Sequence, residues 1–203
     1  MKQENKPTYK GLTFDSVGEM HFYWWCEELM ELGIIKEIKE QPDAFVLSNK
    51  EVLSYVKPMK KTEDKIIEKT ILNGHEYTPD FKIVWDPSAE DFFFVNIDRT
   101  SPLQNKETID LIKGDVSNTT FIEVKPAFDQ NNMTRLAVLN QKWVMDKFNI
   151  FINIVIPEKL FEKTFTPHRY LTCDKSPKPR TIKYKNIKTV KDFINFNPDK
   201  APK

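Results

Sequence analysis

The sequence predicts an α/β fold, a mixed central β-sheet flanked by helices, and three observations predict it. Ser16-Val17-Gly18-Glu19 has the S-x-x-E form of a capping box and precedes apolar residues at helical spacing. Thr119-Thr120-Phe121-Ile122-Glu123-Val124 is β-type, and Asn149 to Ile156 is an apolar, β-branched run; helical spacing from Met133 to Phe148 separates them. Strand, helix and strand in that order give a parallel pair joined by a crossover. Finally, Phe81-Lys82-Ile83-Val84-Trp85 is a strand entered through Pro79-Asp80 and closed by the turn residues Asp86-Pro87-Ser88.

Composition narrows the classes. The 203 residues suit one domain with a small appendage, and 39% hydrophobic and 12% aromatic residues allow a real core. Fifteen Phe against five Gly argue against a Gly-rich nucleotide-binding fold, so no nucleotide cofactor is expected. Cys26 and Cys173 form no C-x-x-C pair, and His21, His75 and His168 have no ligand spacing, which argues against structural zinc and against a Ser-His-Asp hydrolase. No run is apolar enough to span a bilayer, and the polar first ten residues carry no signal-peptide core. The expectation is a soluble, intracellular protein without a membrane partner. The net charge of +1 hides a split: from Pro157 to Lys203 there are twelve Lys and Arg against five Asp and Glu. A basic tail on an acidic body suits a polyanion such as DNA, although lysine-rich ends also serve solubility alone.

Taken in order, residues 1–10 read as a flexible N-terminus. The first helix runs from Ser16 to about Leu32 and is ended by Gly33, with Phe22, Cys26, Leu29 and Met30 as its buried stripe. Ile34 to Glu40 reads as a short strand, Gln41-Pro42 interrupts it, and Phe45 to Leu47 continues extended. Asn49 to Lys69, with Pro58 and Lys57, Lys60, Lys61 and Lys65, reads as a loop or irregular insertion, solvated or touching phosphates. Ile66 to Leu72 and His75 to Trp85 flank Asn73-Gly74 and read as a β-hairpin. Residues 87–117 read as an insertion, with a strand at Phe92 to Val95 and a short helix at Lys106 to Ile112. The helix after Pro126 is spaced at Leu136, Leu139, Asn140, Trp143 and Lys147, with Val144 and Phe148 alongside. Residues 158–203 read as a basic extension. It comprises a short helix at Leu160 and Phe161, a turn at Thr166 to Arg169, a Pro/Lys linker at Ser176 to Arg180, a strand at Ile182 to Tyr184 and a helix at Thr189 to Phe196.

The chemistry gathers on two of these strands. Glu123 and Lys125 are two positions apart and share a face, while Ile122 and Val124 take the other. A carboxylate and an ammonium ending an apolar strand are costly to desolvate unless something uses them. Asp80 adds a second carboxylate on a neighbouring strand. Asp with Glu-x-Lys is the layout of a Mg2+-dependent phosphodiesterase site. Glu19, in the first turn of the helix, is read from its own context as a helix cap, a place that favours a carboxylate.

Pro79-Asp80 followed by Glu123-Val124-Lys125, with Phe14-Asp15-Ser16 and Glu19 upstream and Gln41-Pro42 between, resembles the PD-(D/E)xK nuclease superfamily, in its phage endonuclease I and TnsA-like branch. The resemblance covers about Lys10 to Pro157, so residues 11–157 are expected to form the nuclease domain. It implies a metal-dependent endonuclease hydrolysing DNA phosphodiester bonds, with branched DNA such as a four-way junction as one substrate and a homodimer as the working form. It implies Mg2+ or Mn2+ held by Asp80, Glu123, the Val124 carbonyl and Glu19, with Lys125 beside the attacked phosphate or the attacking water. Gln41, Lys142, Lys178 and Arg180 are the candidate DNA contacts. The placement implied is the cytoplasm of a bacterium or a phage-infected cell, or association with a virion. Two other readings stand beside it: a non-catalytic DNA-binding or virion-associated protein on the same fold, and a transposase or restriction-type subunit dependent on a partner.

Overall fold

In the computed structural model, the described residues are 6–59, 63–89, 118–127, 133–172 and 188–195. They divide into two compact units, one formed by Met1–Pro42 and Pro79–Lys203, the other by Asp43–Thr78. The division falls inside the stretch read as a single nuclease domain.

The first unit is built on a mixed four-stranded sheet flanked by helices. A small N-terminal ladder, β1 (Thr8–Tyr9) and β2 (Leu12–Thr13), leads into α1 (Val17–Glu31). The sheet contains β3 (Ile35–Glu40), β8 (Phe81–Trp85), β9 (Thr119–Val124) and β10 (Ile152–Val155), in the order β10-β9-β8-β3. β10 and β9 are parallel, joined through α2 (Met133–Phe148), and β8 is antiparallel to both β9 and β3. Three short helices follow: α3 (Pro157–Lys163), α4 (His168–Leu171) and α5 (Val190–Asn195).

Local chemistry explains α1. Ser16 is the N-cap: its hydroxyl accepts the Glu19 N–H at 3.1 Å and donates to Glu19 Oε1 at 2.8 Å. Glu19 Oε2 also accepts the Asp15 N–H at 3.0 Å. Gly33, at φ +74, closes the helix, with Gly33 N–H donating to Met30 O and Ile34 N–H to Leu29 O. The buried stripe contains Phe22, Cys26 and Leu29 as expected, together with His21, Trp24 and Trp25. Met30 is 36% exposed rather than buried, because it has turned out of the arc that Phe22, Trp25 and Leu29 set.

Core packing centres on aromatic rings. Trp25 stacks on Phe165 with centroids 5.4 Å apart and on Phe22 at 5.8 Å, and its indole N–H donates to Thr164 Oγ1 at 3.0 Å. Trp85 N–H donates to Thr120 Oγ1 at 2.8 Å, so the indoles of Trp25 and Trp85 are both satisfied. Phe81, Ile83 and Trp85 of β8 and Ile122 and Val124 of β9 face this core. Leu160, Phe161 and Phe165 belong to it as well. The segment from residue 158, read as a basic extension, therefore begins inside the hydrophobic core and only later turns basic.

The second unit holds β4 (Phe45–Ser48) paired with β7 (His75–Tyr77), and β5 (Glu51–Lys57) paired with β6 (Lys65–Leu72), both antiparallel. This corrects two expectations. Within Asn49 to Lys69, Glu51–Lys57 and the start of Lys65–Leu72 are paired strands rather than an irregular loop. Asn73-Gly74 joins no hairpin: β6 pairs back to β5, β7 pairs to β4, and β8 lies in another sheet. The I′ turn that favours Asn-Gly needs positive φ, which among the described glycines only Gly11 and Gly33 have.

Two further expectations are corrected. On α2 the buried residues are Ala137, Asn140 and Val144, while Leu136, Leu139 (54% exposed), Trp143 and Phe148 face outward. The smaller residues take the packed side because α2 lies against β10, where Gln141 Nε2 reaches the Ile152 carbonyl at 2.5 Å. Thr166 to Arg169 is not simply a turn; Pro167 precedes a one-turn helix from His168 to Leu171. The strand expected at Phe92 to Val95, the helix at Lys106 to Ile112, Cys173, the Pro/Lys linker and the strand at Ile182 to Tyr184 lie outside the described residues. Among the described residues no helix is long and apolar enough to cross a membrane.

The α1 terminus gives a direct test of this account. A Cβ added at Gly33 meets nothing within 4 Å, so Gly33→Ala changes only the cost of the left-handed conformation. Chemical denaturation should show a loss of about 1 kcal/mol with an unchanged m-value. No loss would mean that the Gly33 conformation does not anchor the helix end.

Candidate functional site

The register between β8 and β9 pairs Phe81 with Ile122 and Lys82 with Phe121. Carried one step outward, it sets Asp80 opposite Glu123. Cross-strand partners share a face, and here that face is the one turned away from Phe81 and Ile122. Asp80 Oδ2 accepts the Val124 N–H at 2.6 Å, which folds the carboxylate over the end of β9. Lys125 Nζ lies 2.6 Å from Glu123 Oε1, with the two side chains only 13% and 10% exposed. Lys125 is just beyond β9, and its backbone N–H donates to Val155 O at 2.8 Å. The lysine thus rises from an anchored backbone.

Glu19 arrives from α1. A Cβ on Gly18 would meet Val124 Cγ1 at 3.5 Å, so the first turn of the helix rests on the end of β9. Glu19 is buried, 9% exposed, and both its oxygens are engaged by the cap. Burial raises its carboxyl above the ordinary range; the bonds from Ser16 and Asp15 oppose that rise, as does the charge of Lys125. Asp80 is shifted further. Burial first, then the charge of Glu123 and more weakly that of Glu19, push its carboxyl up to about 7, against the Val124 N–H bond and Lys125. The carboxylates of Asp80, Glu123 and Glu19 and the Lys125 ammonium therefore form one electrostatic cluster, the four residues that sequence reasoning selected.

Gln41 holds the rim. Its backbone N–H donates to Asp80 O at 2.9 Å, and its side-chain Nε2 donates to Asp15 Oδ2 at 3.0 Å. It does so from a left-handed backbone at φ +41, a conformation that costs a non-glycine residue roughly 1–2 kcal/mol. Lys6 Nζ takes the other oxygen of Asp15 at 2.6 Å. Two acids escaped the sequence reading. Glu40, at the end of β3, has its carboxyl raised by burial and then by the charge of Glu19, so it borders the cluster. Asp15 borders it from the other side, raising Glu19. Adjacency to Gln41 and to Ser16 was the available signal for each.

Val124, expected to offer its carbonyl, contacts Asp80 through its N–H. Lys142 is exposed on α2, where it lines a groove of about 430 Å³ with Arg135, Leu136, Val138 and Leu139; that groove shares no residue with the carboxylate cluster. Lys178 and Arg180 lie outside the described residues.

Among the described residues, no three His, Cys, Asp or Glu side chains stand as a group that could hold a metal ion. Lys125 occupies Glu123, and backbone and hydroxyl donors occupy Asp80 and Glu19. The donor chemistry nevertheless fits a hard divalent cation: carboxylate oxygens, no thiolate and no imidazole. Burial raises Asp80 first, and the repulsion from Glu123 that adds to it is what a bound cation would relieve. No family model, curated protein or solved structure matches the chain.

Asp80 yields a pH signature of its own. In the unfolded chain an aspartate ionises near pH 4, whereas here it ionises at about 7. Between those values the folded state holds a proton that the unfolded state has lost, so stability falls as pH rises through this window. Asp80→Asn removes that penalty while retaining an oxygen for the Val124 N–H. With divalent cations chelated, the variant should melt on the order of 5 °C above the parent at pH 8, and the gain should vanish near pH 4. A variant that melts lower at pH 8 would show that Asp80 is not electrostatically opposed.

Proposed function

We propose that the chain is a metal-dependent endonuclease that hydrolyses DNA phosphodiester bonds, on the pattern of the PD-(D/E)xK superfamily that its motifs resemble. One observation carries the reading: Asp80 and Glu123 are set opposite each other on adjacent antiparallel strands, with Lys125 on Glu123 and Glu19 beside them. A structural ion pair needs one acid for one base, and this patch has three acids around one lysine. The mixed sheet is compatible with the fold that the resemblance implies.

Asp80 and Glu123 would hold Mg2+ or Mn2+, with the Glu19 carboxylate beside them. The cation would supply an activated water and neutralise charge on the phosphate. The remaining work falls to the chain. The Val124 N–H orients Asp80, and the capping bonds from Ser16 and Asp15 orient Glu19. Gln41 ties the Asp80 backbone and Asp15 together. Lys125, held by β10 through its own N–H, brings a positive charge to where negative charge develops on the phosphate. A branched duplex is the favoured substrate and a homodimer the working form, since two strands cut symmetrically need two sites.

The test is cleavage of a labelled panel (four-way junction, linear duplex, single strand) with and without Mg2+. Wild type should cut only with metal. Glu123→Gln, with its fold checked by circular dichroism, should be slower by roughly a thousandfold, the effect of losing about 4 kcal/mol of transition-state stabilisation. A folded wild type that cuts nothing in Mg2+ or Mn2+, or a Glu123→Gln variant as fast as wild type, overturns the reading.

A further inference from the structure

The second unit carries a ribbon whose two faces differ. The register between β5 and β6 puts Leu53 opposite Lys69, Tyr55 opposite Ile67 and Lys57 opposite Lys65 on one face. The other face pairs Val52 with Thr70, Ser54 with Glu68 and Val56 with Ile66. Over these three pairs the first face carries three lysines and no acid; Glu51, two residues before Leu53, lies at its far end, past a register shift. Lys57 and Lys65 stand directly across from each other, a like-charge pair that destabilises a two-stranded ribbon. None of the three is ion-paired among the described residues. Tyr55 stands between the lysines on this face with its side chain 45% exposed.

A ribbon that sets ammonium groups across from one another and leaves an aromatic ring open between them is complementary to an anionic chain bearing planar rings. From the Lys57–Lys65 pair to Lys69 is four residues, roughly 13 Å, or about four nucleotide steps at 3.4 Å each. A two-stranded ribbon is also one of the elements that the DNA major groove admits. A second copy of this chain fits poorly, because apposing this face on itself would bring six lysines together.

Chain connectivity supplies an independent argument. The chain leaves the first unit after Gln41-Pro42 and re-enters it at Pro79-Asp80. Gln41 and Asp80 are joined by the backbone bond of 2.9 Å. Both covalent connections of the second unit thus start at the rim of the carboxylate cluster.

We infer that the β5–β6 ribbon is a DNA-binding arm: Lys57, Lys65 and Lys69 contact backbone phosphates, and Tyr55 lays its ring on a sugar or an unpaired base. Naming the polyanion as DNA rests on the nuclease reading above. The arm holds substrate and takes no part in bond cleavage.

The experiment is fluorescence anisotropy in EDTA, with the full chain and a labelled duplex carrying a single-stranded tail, over a range of KCl. A Lys57→Gln, Lys65→Gln, Lys69→Gln triple variant should bind more weakly, and its slope of log K against log salt should be shallower by roughly two to three, one counterion per lost phosphate contact. Tyr55→Ser should weaken binding roughly tenfold, as loss of stacking does, and leave the slope unchanged. Thermal melting serves as the folding control: the triple variant should melt no lower than the parent, because the Lys57–Lys65 repulsion is gone. Wild-type affinity and slope in the folded triple variant overturn the arm. So does a change in sedimenting mass without a change in DNA binding, which would make the ribbon a contact between copies. Metal-dependent cutting, measured separately at saturating DNA, keeps the two readings apart. Ribbon-dependent binding without cutting sinks the nuclease and leaves the arm; cutting with ribbon-independent binding does the reverse.

Discussion

Three acids around one lysine, at the sheared end of two antiparallel strands, is the constraint on which the rest of the first unit turns. Glu123 is buried with Lys125 at 2.6 Å, and breaking such a pair by removing one partner typically costs about 3–5 kcal/mol. Asp80 gains no such partner. It is held against Glu123 by the strand register and by the Val124 N–H, and burial, with the charge of Glu123 added, makes it take up protons more readily. A fold selected for stability alone has no reason to retain it. The arrangement stores unfavourable electrostatics, and a cation with a charge of two would discharge them.

The neighbouring structure is arranged to bear that load. The Trp25–Phe165–Phe22 stack and the satisfied indoles of Trp25 and Trp85 give a rigid core directly beneath the strands that end at the cluster. The first turn of α1, seated on Val124, offers its positive end to the same place. Glu19 is spent twice there, as helix cap and as a buried charge facing Lys125, so the two readings of this residue are one piece of chemistry. Gln41 accepts a left-handed backbone to tie Asp15 to the Asp80 chain, which places backbone strain at the rim of the site and not in the core.

What was legible in the sequence followed physical periods that the fold leaves undisturbed. The alternation of Ile122, Glu123, Val124 and Lys125 put acid and lysine on one face, and the S-x-x-E box located α1 to within a residue. The parallel β9–α2–β10 unit followed from run length and β-branching. The β5–β6 ribbon was illegible because neither face is buried: Val56 and Ile66 oppose one another as openly as Lys57 and Lys65 do, so no alternation marks the strands. With that ribbon unseen, Asn73-Gly74 was given a hairpin that belongs to the segment before it. On α2 the large residues suggested the wrong face, since Ala137, Asn140 and Val144 make the contact and the bulkier Leu136, Leu139 and Trp143 do not. Asp15 meets Glu19 through a local contact four residues away, whereas Glu40 comes near Glu19 only by tertiary approach, with its adjacency to Gln41 as the sequence signal.

The central claim is that Asp80 and Glu123 cooperate in holding a divalent cation. The most direct measurement is Mn2+ binding to the full chain, by electron paramagnetic resonance with calorimetry alongside, for wild type, Asp80→Asn and Glu123→Gln. The account predicts saturable binding by wild type that is lost in each variant while the fold is retained. Saturable binding that neither substitution disturbs, or a folded wild type that takes up no Mn2+, would contradict it.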